Sequence, residues 1–164
     1  MSSTVTNVVV AGLGGQGVLK ASDILAEAAF RSGLDVKKSE IHGMSQRGGS
    51  VSSDVRFSAS RAGVLSPMVP DGEADFLVVL AADQVEVNDR RLRKSGVLIS
   101  PGCVVDNALP SPRSLNVALL GVLSTYLEIE LPHWKAAIEA NLPPKVHEAN
   151  LRAFAMGQAT RETA

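Results

Sequence analysis

A run of β-branched residues, "NVVVA" from Asn7 to Ala11, meets the glycine-rich stretch "GLGGQG" at Gly12 and passes directly into "VLKASDILAEAAFR", Val18 to Arg31. No other feature limits the fold as strongly. A short continuous apolar run suits a strand covered on both faces. The segment after it places Leu19, Ile24, Leu25, Ala28 and Ala29 on one helical face and stops near Gly33, a C-cap signal. Strand, glycine turn and helix in that order are the first half of a βαβ unit, so the chain is committed to an α/β sheet.

The rest of the chain keeps the alternation going, without repeats or low-complexity tracts. Leu34 to Lys38 reads as a second strand. Gly49 to Ser58, "GSVSSDVRFS", sets Val51, Ser53, Val55 and Phe57 against Ser50, Ser52, Asp54 and Arg56, the pattern of a half-buried strand. Asp75 to Ala81 is a buried strand of parallel type, Asp83 to Lys94 a polar helix, and Gly96 to Ser100 a short final strand. From Ser114 the text turns helical in three pieces, the second beginning at Pro132 and the third at Pro143, with prolines placed to start helices. The expected fold is α/β: a single-domain, Rossmann-like, mostly parallel sheet flanked by helices, with a helical C-terminal third. With 164 residues there is material for one core, here taken as about 7–157, with 160–164 frayed.

Composition excludes several function classes. The formal charge of −1, one Trp, one Tyr and four Phe supply neither a basic field nor a stacking platform, so no nucleic-acid partner is expected. No apolar run reaches the roughly 18 residues that span a bilayer. The start, "MSSTVTNVVVAG", lacks the basic and apolar regions of a secretory signal, which points to the cytoplasm and away from membranes. The single cysteine, Cys103, cannot hold an iron–sulfur cluster, which takes about four thiolates. His42, His133 and His147 stand on separate segments, so no metal site is expected. Ser45, Ser50 and Cys103 have no base-and-orienter arrangement, and no catalytic residue is assigned.

Two glycine-bearing segments remain as candidate sites. Gly12, Gly14 and Gly17 fit a dinucleotide turn, with Gly15 and Gln16 between them, and glycine there lets backbone amides approach a phosphate. Where such sheets usually present an acid to a ribose, however, this chain has Lys37, Lys38 and Ser39, with Glu40 just beyond. A tight turn that grips nothing fits the same letters. The second segment, "SEIHGMSQRGGSVSSDVRFS", gathers His42, Gln46 and Arg47 ahead of Gly48 and Gly49, a set of donors suited to an anion or a protein surface. A surface pairing of Arg47 with Glu40 or Asp54, with the glycines merely turning the chain, fits equally. Arg90, Arg91, Arg93 and Lys94 read as a solvated helix end. Asn116 and Gly121 in an apolar helix read as packing and a helix contact, with the Asn in need of hydrogen-bond partners.

Taken together, "GLGGQGVLKASDILAEAAFRSG", "SEIHGMSQRGGSVSSDVRFS", "DGEADFLVVL", "NVALLGVL" and "ANLRAFAMG" resemble, in order and over nearly the whole chain, the gamma-type domain of 2-oxoacid:ferredoxin oxidoreductases, most of all the small subunit of the indolepyruvate type. The resemblance implies a subunit that is not active alone. Its large partner would carry thiamine diphosphate and iron–sulfur clusters, decarboxylate an aryl 2-oxoacid to an acyl-CoA thioester, and pass electrons to ferredoxin. It also implies that Gly14, Gly15, Gln16 and Gly17, with Gln46, Arg47, Gly48 and Gly49, meet coenzyme A phosphates or the large subunit. Two other readings stand beside it: a free-standing dinucleotide-binding oxidoreductase, and an assembly module without a ligand.

Overall fold

The computed structural model describes residues 4–43, 48–104 and 108–162. Five strands form one sheet in the order β2-β3-β1-β4-β5. The central strand β1, Thr6–Leu13, has Val8, Val9, Val10 and Ala11 completely buried because both sheet faces are covered there. It pairs parallel with β4, Ala74–Val79, which pairs parallel with β5, Leu92–Ile99.

The other half of the sheet is antiparallel, so the sheet is mixed where a mostly parallel one was expected. Strands β2, Asp35–His42, and β3, Ser50–Ser58, form a hairpin, and β3 lies between β2 and β1. The α/β class is unaffected, because β1, α1 and β2 still make a crossover with one strand inserted into it. Strand β2 is longer than the Leu34 to Lys38 reading. Ser39–His42 are strand residues, paired in register with Asp54–Val51. They looked like loop because an edge strand carries charge that keeps foreign strands away.

Helix α1 runs from Val18 to Arg31, the range its periodicity marks. Ile24, Leu25, Ala28 and Ala29 are fully buried as expected, whereas Leu19 is half-buried and Ala21 takes its place on the face. It ends in a wrapped turn in which Gly33 N–H donates to Phe30 O and Leu34 N–H to Ala29 O. The short α2, Val85–Asn88, stands between two single 3₁₀ turns, in place of one polar helix from Asp83 to Lys94. The chain must turn there to bring Arg91 inward, and Leu92 already pairs with Ala74.

Arg91 corrects the reading of the basic cluster as solvated, and Asp54 the reading of its strand position as outward. Asp54 is wholly buried and Arg91 is 8% exposed. One guanidinium nitrogen sits 2.9 Å from both Asp54 carboxylate oxygens and donates to Val69 O, while Val69 N–H donates to Asp54 Oδ2. This pair clamps the segment between β3 and β4 across the second sheet face, above Val9, Leu77 and Val79.

The C-terminal third is helical, as expected: α3 Leu115–Ser124, α4 Leu131–Asn141 and α5 His147–Glu162. The last helix continues past Thr160. Helices α3 and α5 cross with backbones touching, since a Cβ on Gly121 would lie 2.1 Å from Phe154 O and one on Gly157 1.9 Å from Ala118 O. Trp134 and Phe154 fill the layer beside them, ring centres 5.3 Å apart.

Candidate functional site

The antiparallel hairpin brings the two glycine segments together. Since Leu13 pairs with Ser50, the carboxyl end of β1 lies beside the start of β3. Gly14 N–H then donates to Gly49 O at 2.9 Å, and Gly43 N–H closes the hairpin onto Ser50 O at 2.7 Å. The crevice outside the carboxyl ends of parallel strands is where open α/β sheets bind ligands. The strands that flank it here are β1 and β4.

Within the turn, Gly14, Gly15 and Gln16 are exposed and Gly12 is buried. Gln16 does not reach outward with its carbonyl. Its Oε1 accepts from Leu13 N–H at 2.7 Å, so the side chain closes the turn upon itself. Gly17, at φ 83°, is the N-cap of α1 and is held from far along the chain. Asn116 Nδ2 donates to Gly17 O at 3.2 Å, and the same nitrogen would lie 2.5 Å from a Cβ at position 17. The turn therefore tolerates no side chain there, and α3 acts as its brace. Asn116 thus finds the partner its buried amide requires.

On the far side of β1, Gln84 follows the end of β4. It is 8% exposed, and its Oε1 accepts from Ser50 Oγ at 2.8 Å. The hydroxyl that follows Gly48 and Gly49 is thereby tied to the β4 side of the crevice. Neither Ser50 nor Gln84 was selected from the sequence as a site residue. The available signal was position: Gln84 stands to β4 as the glycine turn stands to β1.

His42 is not brought into the turn. It and Gly12 both pair with Val51 from opposite sides, placing them about two strand spacings, or about 10 Å, apart. Its ring is 58% exposed and lies 3.7 Å from Glu40 Oε2. Glu40 is itself held below its ordinary carboxylate range, chiefly by the hydrogen bond from Lys38. Lys38 also bonds Asp23 on α1. Burial opposes its charge, but the hydrogen bonds to Asp23 and Glu40 outweigh it and raise its pKa. Gln46 and Arg47 lie outside the described residues. Gly48 and Gly49 are placed, Gly48 exposed at φ 67°.

This geometry weighs against a dinucleotide grip. In a nucleotide-binding sheet the strand after the first helix lies next to the first strand, so that its terminal acid reaches the ribose. Here β3 occupies that place and Glu40 is committed to Lys38. Among the described residues no three His, Cys, Asp or Glu side chains come together as a metal site, and no helix is long and apolar enough to cross a membrane.

Fold and site together define a small α/β domain whose first strand ends in a glycine turn that is hydrogen-bonded to Gly49 and braced by Asn116 from its helical third. The chain belongs to the pyruvate ferredoxin/flavodoxin oxidoreductase family, whose model matches residues 7–110. It is 33% identical to indolepyruvate oxidoreductase subunit IorB of Thermococcus kodakarensis, over an alignment taking in 92% of this chain and 93% of that one. IorB of Archaeoglobus fulgidus is 32% identical, with 92% of each chain covered. The first of these alignments spans 197 positions, more than the 164 residues here, so the relative carries internal segments that this chain lacks. The fold is shared with the gamma subunit of a keto/oxoacid ferredoxin oxidoreductase from Geobacter sulfurreducens, with TM-score 0.75, 21% identity and 98% of both chains covered. It is shared also with 2-oxoglutarate:ferredoxin oxidoreductase from Magnetococcus marinus, solved with 2-oxoglutarate, coenzyme A and succinyl-CoA bound. There the TM-score is 0.81 at 20% identity, and 99% of this chain matches 32% of the longer one.

Proposed function

We propose that this chain is the small subunit of an indolepyruvate-type 2-oxoacid:ferredoxin oxidoreductase. A large partner chain would carry thiamine diphosphate and iron–sulfur clusters, which supply decarboxylation of an aryl 2-oxoacid and transfer of an electron pair to ferredoxin. Coenzyme A would take the acyl group as a thioester. The observation that carries this reading is the correspondence with IorB chains over nearly the full length of both partners.

This chain's own part is to complete the site and to hold the coenzyme. Free amides at the start of α1 and the exposed backbone of Gly15 and Gly48 suit phosphate oxygens, which need donors and close approach and no proton transfer. Fixing the anionic end of the coenzyme would orient its thiol toward the acyl group on the partner, a positioning contribution to rate. Arg47, beside these glycines in sequence, would add a charged fork for a phosphate or a carboxylate of the partner.

The test is affinity purification of the tagged chain from its native cells. Recovery of a larger chain with iron and thiamine, and dye reduction dependent on an aryl pyruvate and coenzyme A, is expected. A chain that elutes alone with a bound dinucleotide would overturn the reading.

A further inference from the structure

The carboxyl edge of β4 carries a side-chain donor that its own packing leaves without a protein partner among the described residues. Gln84 is more than nine-tenths buried, and its side-chain oxygen is satisfied by Ser50 Oγ. That bond turns the carboxamide toward the start of β3, where Gly48 and Gly49 lead into Ser50. Its nitrogen has no hydrogen bond among the described residues. Gln84 Nε2 is not among the fully buried side-chain atoms that lack a hydrogen bond, so it reaches solvent. A carboxamide held by its oxygen presents its N–H donors in a fixed direction. One that satisfies only its acceptor, at the carboxyl edge of β4, has a donor poised for something that enters from outside.

We infer that Gln84 is a ligand-contacting residue of this subunit, its amide N–H donating to an acceptor oxygen of coenzyme A in the crevice between the glycine loops and β4. The inference rests on the coenzyme reading above and extends it across β1. The glycine turn offers backbone donors on one side, and Gln84 offers a neutral side-chain donor on the other. Ser50 is the positioning residue. Its hydroxyl occupies the carboxamide oxygen and so fixes which end of the group faces the opening.

Gln84→Glu separates the two roles of this side chain. A carboxylate still accepts from Ser50 Oγ, so the tie to β3 survives, while the N–H donors are replaced by acceptors. In the complex with the large subunit, this variant is expected to raise KM for coenzyme A about tenfold relative to KM for the 2-oxoacid, the scale of one lost hydrogen bond to a charged or strongly polar acceptor. A carboxylate at a site only 8% exposed should also lower the melting temperature, so both KM values are read in the assembled complex well below it, and the 2-oxoacid KM reports on any general loss of structure. Ser50→Ala should raise the KM for coenzyme A by a smaller factor. If Gln84→Glu leaves KM for coenzyme A unchanged in a folded complex, the residue only ties strands together and the inference fails.

Gly14→Ala serves as the control for the underlying reading. Position 14 has no positive φ, and an added Cβ meets Gly48 N at 3.5 Å, an ordinary contact, so the variant should fold with a narrower cradle. A raised coenzyme KM in Gly14→Ala but not in Gln84→Glu would overturn Gln84 alone. Wild-type KM in both would overturn coenzyme binding by this subunit.

Discussion

Arg91 is the residue at which removal of one atom group should cost most. Its guanidinium neutralises Asp54, which is entirely shut off from water, and a buried carboxylate left unpaired typically costs about 3–5 kcal/mol. Arg91→Met is therefore expected to lower unfolding free energy by about that amount in urea denaturation. Arg90→Met, two-thirds exposed or more beside Asp71, should change it by less than about 1 kcal/mol. Asn116→Ala removes the brace on Gly17 and leaves its carbonyl without that donor, a loss of about 1–2 kcal/mol. If the turn holds the coenzyme, the same variant should raise its KM, read by steady-state kinetics at saturating 2-oxoacid. The sequence separated these residues unevenly. Asn116 stood out because an amide in an apolar helix needs partners. Arg91 did not, because its partner lies 37 positions away and a basic run looks the same whether one member turns inward or none does.

At the scale of elements, legibility followed burial. The bounds of α1 were readable because its apolar face and its terminal glycine agree. The end of β2 was not, because an exposed edge strand presents the composition of a loop. The antiparallel insertion of β3 was equally hidden, since alternation along a strand says which face is buried and nothing about its neighbour's direction. The crossing of α3 and α5 yields a clear prediction: Gly121→Ala or Gly157→Ala should force the helices apart and cost about 1–3 kcal/mol or more, visible as a lowered melting temperature. The bridge from α1 to β2 through Lys38 predicts a pH window. Glu40's pKa is lowered on folding, so its contribution is present above the ordinary 4.5 and fades as pH falls through the lower folded value. Lys38's pKa is raised, so its contribution is complete below the ordinary 10.5 and is lost as pH rises through the higher folded value. The stability difference between wild type and Lys38→Met should thus be flat between these limits and shrink outside both, with a plateau of no more than about 1 kcal/mol because the carboxylates are partly exposed.

The whole molecule arranges its layers unequally. The four long helices lie with the larger core, which includes Val8, Val55 and Val78, while the opposite sheet face is covered by the segment before β4 and the short helical turns after it. The glycine turn lies at the carboxyl end of β1, where Gly14 meets Gly49 ahead of β3. The family and the general class of fold were legible from ordered motifs. The assembly of the candidate site was not, because it depends on contacts between segments far apart in sequence, Ser50 with Gln84 across 34 positions and Gly17 with Asn116 across 99.

That last property bears on synthesis at the ribosome. All five strands have been made by residue 99, yet the contact that finishes the glycine turn comes from Asn116, 99 positions after Gly17. The brace on the glycine turn is therefore synthesised after every strand of the sheet. A ribosome-stalled chain ending after β5 would lack that brace together with α3, α4 and α5, three of the four helices that pack on the larger core.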